Sequence, residues 1–216
     1  MGIGHFSVGV LLSGILAVWF GYHQPQRGFY LFKPLTTILI LLIPVLATEG
    51  ICLFSGLILA GLIFSLLGDV FLMLPEDRFL EGLIAFLVAH LFYISGFLID
   101  QGTPVFWPLL PILGLSGMIG WFLNSGMGKM KIPGFVYLGV ISTMVWLAWS
   151  RWIIGGQLNH LLGFCGASLF FISDLILATN RFKVNFKAAR ALNLTAYYAG
   201  QYLIALSVIN LEVFRL

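Results

Sequence analysis

Eight runs of about 17 to 25 mostly apolar residues, separated only by short polar joins, leave this 216-residue chain very few ways to fold. They cover residues 5–22, 29–47, 51–74, 79–99, 105–123, 132–150, 158–179 and 188–209. Such runs bury well only in lipid, where no water satisfies the backbone and each segment must bond to itself, so each is read as an α-helix. The chain is 60% hydrophobic and 9% charged, with a mean hydropathy of +1.04, which excludes an ordinary soluble globule. The sequence therefore predicts a single all-α membrane domain over residues 1–216, a bundle of eight transmembrane helices. The first run has no basic stretch ahead of it and no small-residue cleavage site, so it is read as a permanent span.

The joins carry the expected breakers: Gln24-Pro25, Thr48-Glu49-Gly50, Pro75-Glu76-Asp77, Gly102-Thr103-Pro104, Gly126 with Gly128, and Gly155-Gly156. Lys and Arg sort unevenly across them. The joins after the first, third, fifth and seventh runs, with the adjoining helix ends, hold nine: Arg27, Lys33, Arg78, Lys129, Lys131, Arg181, Lys183, Lys187 and Arg190. The other side holds two, Arg151 and Arg215. Basic residues gather on the cytoplasmic side, so both termini are expected outside the cytoplasm. The net charge of +3 is thus a matter of topology, and nothing in it asks for nucleic acid. Cys52 and Cys165 fit no metal-ligand spacing and read as free, buried thiols. Similar pairs, Gly68-Asp69 and Ser173-Asp174, hint at a four-plus-four duplication, which apolar sequence alone leaves open.

Two carboxylates stand out because each lies inside an apolar run. An aspartate at a helix centre costs about 2.5 to 3.5 kcal/mol, so such residues face a bundle interior and mark a functional pathway. Asp69 and Asp174 each lie about six residues before the cytoplasmic end of their run, hence about 9 Å deep. Small faces at Gly61 and Ser65, and at Gly166 and Ala167 with Ser173 beside the aspartate, favour close approach of neighbouring helices. His90 enters about 16 Å from the same side, with Tyr93 one turn further. Asn193, Tyr197 and Gln201 recur at helical spacing on the last run. Lys33, with Thr36 and Thr37 one turn deeper, and Arg181 stand at the mouth. For each a plain alternative exists: an aspartate that caps a neighbouring helix or pairs singly with a lysine, helix-to-helix glue, snorkelling, or a lone structural histidine.

With Lys33-Pro-Leu-Thr-Thr37, Gly68-Asp69, Phe79 to Gly82 followed by His90 and Tyr93, Gly166-Ala-Ser-Leu-Phe-x-x-Ser-Asp174 and Tyr197-Tyr-x-x-Gln201 in view, the chain resembles the YhhN-like family, whose characterised members are lysoplasmalogenases. The resemblance runs over nearly the whole chain. It implies an eight-helix hydrolase of a bacterial cytoplasmic membrane that cleaves the vinyl ether of lysoplasmenyl-ethanolamine or -choline. The products would be a fatty aldehyde and the glycerophospho-base.

The residues suit that chemistry. A vinyl ether hydrolyses by proton transfer to carbon, giving an oxocarbenium-like ion that water attacks, so the catalyst needs an acid and a nearby anion. Two carboxylates sharing a desolvated site would supply both, because mutual repulsion keeps a proton on one. Catalysis is thus expected from Asp69 and Asp174, with Lys33, His90, Tyr93, Ser173, Arg181, Asn193, Tyr197 and Gln201 binding or positioning a lysophospholipid. The lipid tail is expected to run past Phe86, His90 and Gln201 from a mouth on the cytoplasmic leaflet. No three-ligand histidine cluster calls for a metal, and no cofactor is expected. Two other readings compete. Leu66-Leu-Gly-Asp69 carries part of an intramembrane aspartyl protease signature without its partner motif, and a small transporter or lipid-handling protein could use the aspartates as proton carriers.

Overall fold

In the computed structural model, residues 3–24, 26–47, 50–99 and 102–209 are described. They form α1 (Ile3–Phe20), α2 (Arg27–Ala47), α3 (Leu53–Met73), α4 (Phe79–Ile99), α5 (Leu109–Asn124), α6 (Lys131–Gly155), α7 (Leu158–Phe182) and α8 (Ala189–Leu206), with one 3-10 turn at Gly128–Met130 and no strand among them. Pro25, Thr48, Glu49 and Arg215, used above to place joins or orientation, lie outside the described residues.

Local chemistry sets the helix ends. Pro75 follows α3 closely and cannot continue it. Gly156 ends α6 in a left-handed conformation, φ 63°, and its N–H bonds back to Trp152 O at 2.8 Å. The fifth run differs from expectation: helix starts only at Leu109, because Pro104 and Pro108 hold the preceding chain extended or turned. Val105 is instead pinned to α6, its N–H donating to Ser150 Oγ at 2.8 Å and its carbonyl accepting from Trp146 Nε1 at 2.7 Å. α6 also runs past the expected Ser150, which places Arg151 within the helix and buried, its guanidinium 4.5 Å over the Phe54 ring. Both cysteines are free, but Cys52 is exposed: it caps α3, where its sulfur accepts from Ser55 N.

Packing joins sequential neighbours most extensively, α1 with α2, α3 with α4 and α7 with α8. α2 and α3 also meet α8, α4 and α7 both meet α6, and α5 lies outermost, mainly against α6. The polarity is inverted relative to a soluble protein. Lys33, Thr37, Ser65, Asp69, His90 and Gln201 are buried, while Trp121, Ile132 and Leu110 are 81%, 78% and 73% exposed. Among the described residues, five helices are long and apolar enough to cross a bilayer: those within Arg27–Leu46, Leu53–Met73, Phe79–Ile99, Gly128–Gly155 and Leu158–Phe182. Gly4–Phe20 and Leu109–Asn124 are apolar but shorter.

The α7–α8 contact depends on two small residues. A Cβ at Gly166 would stand 2.7 Å from Gly200 O, and one at Gly200 would stand 2.9 Å from both Gly166 O and Phe170 N. Backbone cannot yield as a side-chain tip can. Gly200→Ala is therefore expected to destabilise by about 1–3 kcal/mol, seen as a lower unfolding midpoint in detergent. Gly139→Ala, whose added methyl meets nothing within 4 Å, is the control and should not destabilise.

Candidate active site

Asp69, 1% exposed on α3, is held by two neighbouring helices. Lys33 of α2 places Nζ 3.2 Å from Oδ1 and donates to the aspartate's own carbonyl at 3.0 Å. Thr37, one turn further along α2, donates to Oδ2 at 2.6 Å, and Tyr197 of α8 donates to the same oxygen at 2.7 Å. The charge that lipid would reject is thus met by an ammonium and two hydroxyls. Both α2 residues reach it because they are spaced one helical turn apart.

Asp174 is held differently. On α7, its Oδ2 accepts a short 2.5 Å hydrogen bond from Tyr137 of α6. It lines an apolar cavity of about 60 Å³ between α4, α5, α6 and α7, walled by Phe86, Ile119, Leu123, Tyr137 and Ile141 among others. Asp69 does not line it. The two carboxylates, read from sequence as each other's partners, have other partners here. Nor do they lie equally far from their helix ends. Pro75 stops α3 just after Met73, four residues past Asp69, whereas α7 continues to Phe182, eight residues past Asp174, or about 6 Å against about 12 Å.

An aromatic wall links the two carboxylates. The His90 ring lies 5.2 Å from Tyr137 and 4.7 Å from Phe170, and Phe170 lies 5.3 Å from Tyr197. Neither ring nitrogen of His90 has a hydrogen-bond partner among the described residues. Tyr93, 6.5 Å from His90, donates to Gln201 Oε1 at 2.7 Å and meets Ser65 at 3.3 Å. Ser173 and Asn193 bond to each other, side chain to side chain at 2.8 Å and through both carbonyls, so they fasten α7 to α8.

At the mouth, a polar cavity of about 600 Å³ is lined by Lys33, Asp77, Arg181, Asn185, Arg190 and Asn193 among others. It shares Leu72, Phe79 and Leu177 with the apolar cavity, so a charged chamber adjoins a greasy slot. Arg181 bonds to Asp77 at 2.5 Å, and that hydrogen bond, with the charge behind it, holds the Asp77 carboxyl below its ordinary range. The apolar cavity includes Phe86 but neither His90 nor Gln201, both fully buried beside Phe170 and Tyr93, so it does not follow the line expected from sequence.

The sequence profile of the YhhN family matches residues 28–208. The chain belongs to the YhhN family. It is 34% identical to the uncharacterised membrane protein YhhN of Escherichia coli O157:H7 over 202 residues, 93% of this chain and 97% of that one. It is 35% identical to the bovine lysoplasmalogenase TMEM86A over 159 residues, 71% of this chain and 65% of that one. The pig lysoplasmalogenase TMEM86B is 32% identical over 195 residues, 88% and 80% of the two chains. No solved structure matches the chain.

Tyr137 is the residue of this candidate site that sequence reading missed. The signal was there in part: Tyr137, Ile141 and Met144 form one buried stripe on α6, and the phenol lies six residues inside the helix start at Lys131. Nothing in sequence assigned that stripe to Asp174. Thr37 was noted but not given its carboxylate.

Proposed function

We propose that this YhhN-family protein hydrolyses the vinyl-ether bond of a lysoplasmenyl phospholipid, as the naming of its mammalian relatives suggests. We read it as eight spans with both termini outside the cytoplasm, in a bacterial cytoplasmic membrane, the mouth opening to the cytoplasmic leaflet. The single observation that carries the reading is the carboxyl of Asp174 in an apolar slot that shares three residues with a charged chamber. A single-chain lipid has that same division between tail and headgroup.

In this reading the vinyl ether lies in the slot and the phosphate stays in the mouth. Asp174, oriented by Tyr137, gives its proton to the carbon one bond removed from the ether-bearing carbon. The oxocarbenium ion that forms is stabilised by the Asp174 carboxylate left behind, while Asp69, paired with Lys33, anchors the far side of the aromatic wall through Tyr197. Water adds to the cationic carbon, and its surplus proton returns to Asp174. The hemiacetal then breaks its bond to the glycerol oxygen, which takes the hydroxyl proton, and the aldehyde leaves. One water is consumed. Lys33 and Tyr197 act by fixing Asp69, Tyr93 and Gln201 by bracing the wall, and Ser173 and Asn193 by fixing α7 against α8.

The slot is too small as it stands. A cavity of about 150 Å³ is what admits benzene, against the slot's 60 Å³. Its outer wall, α5, must part from α7 to admit a chain.

The test is aldehyde release from lysoplasmenyl-ethanolamine by purified protein, with the saturated alkyl-ether analogue as control. Aldehyde is expected from the first and none from the second; aldehyde from neither sinks the reading. Tyr137→Phe is expected to lower kcat by about tenfold to a hundredfold, by letting the acid drift, with KM nearly unchanged. An unchanged kcat would show that Tyr137 does not position Asp174.

A further inference from the structure

The mouth holds charges of both signs, and most are committed locally. Lys33 belongs to Asp69. Arg78 bonds Glu76 at 2.6 Å, in its own connection, and lies 3.6 Å from Glu81 in the first turn of α4. Arg190 donates to the Gly21 carbonyl and lies 5.5 Å over the Phe29 ring. One pair instead spans the chamber. Arg181, at the end of α7, meets Asp77 in the α3–α4 connection at 2.5 Å, with side chains 45% and 67% exposed. Its guanidinium also lies 5.0 Å over Phe79, which belongs to both the chamber and the slot. The pair therefore sits at the seam where a headgroup would meet the start of its tail.

Building on the lysolipid reading above, we propose that Asp77 selects the headgroup: an ammonium takes the carboxylate while the adjoining phosphate takes Arg181. A zwitterion fits because it replaces one ion pair by two of the same kind. Both side chains are already partly in water, so little further desolvation opposes the exchange. A headgroup with phosphate and no ammonium would take Arg181 from Asp77 and leave two negative groups facing each other. Asp77 thus discriminates between zwitterionic and anionic lysolipids. Glu76 does not, because Arg78 holds it with two guanidinium bonds, at 3.0 and 2.6 Å.

The test compares KM on lysoplasmenyl-ethanolamine and on the same vinyl-ether chain carrying phosphoglycerol, in neutral detergent micelles. Asp77→Asn is expected to raise KM for ethanolamine by about three- to fivefold, the upper range for an exposed ion pair. It should also lower KM for phosphoglycerol, since the repelling carboxylate is gone and Arg181 is free. Arg181→Gln should raise KM on both substrates, and Glu76→Gln should leave their ratio at the wild-type value. Equal shifts on the two substrates with Asp77→Asn, no shift, or the same ratio change with Glu76→Gln would each overturn the assignment. Equilibrium binding of the two saturated-ether analogues reads the same ratio without turnover. If the wild type releases no aldehyde at all, the hydrolase reading fails while the binding ratio still decides the role of Asp77.

Discussion

Asp174→Asn protein is expected to bind a saturated-ether lysolipid as the wild type does and to lose about a hundred- to ten-thousand-fold in kcat on the vinyl ether, the usual contribution of a positioned general acid. The amide can still accept from Tyr137, so the slot keeps its shape, but it has no proton to give to carbon. No cation faces Asp174 among its hydrogen-bonding partners, so the change leaves no charge stranded, and the unfolding midpoint should hold or rise. Turnover at the wild-type level would remove Asp174 from the chemistry. Asp69→Asn should behave otherwise, because it leaves the Lys33 ammonium buried without its counter-ion; stability and activity should fall together.

Lys33→Met is expected to give the largest loss of stability, about 3–5 kcal/mol, because it strands the Asp69 charge with only hydroxyl partners. Side-chain exposures of 6% and 2% for the pair allow water little part in relieving it. The double change Lys33→Met with Asp69→Asn should recover most of the stability and none of the turnover. Denaturation midpoints in detergent decide this, and a single variant as stable as the wild type would contradict the buried-pair account. Lys33, read from sequence as a residue at the mouth that binds or positions the lysolipid, is in contact with Asp69 through both its carboxylate and its carbonyl.

Much of the fold was legible because lipid solvent imposes one rule on every segment. Apolar runs gave eight helices among the described residues, and their ends were displaced mainly where proline set the start, as at Leu109, or where polar residues still fitted a helix, as at Asn180-Arg181. The aspartates were legible because charge in an apolar run is costly and needs a reason. Their partners were less so. Spacing along one helix shows which residues share a face, as Lys33 and Thr37 do, but it does not say which helix that face meets. Tyr137 and the burial of His90 are consequences of how α4, α6 and α7 are placed, and no spacing within a single run encodes that. The two aspartates were read as a coupled pair because depth was counted from assumed helix ends; the actual ends and partners give the two carboxylates different surroundings.

The most direct test of proton transfer to carbon is hydrolysis of lysoplasmenyl-ethanolamine by the wild-type protein in heavy water, with mass analysis of the aldehyde trapped as it forms. Protonation of the vinyl carbon by an exchanged Asp174 carboxyl places one deuterium on the carbon next to the aldehyde carbon, and a slowed rate accompanies it. Aldehyde without that deuterium, or no aldehyde at all, would contradict the account.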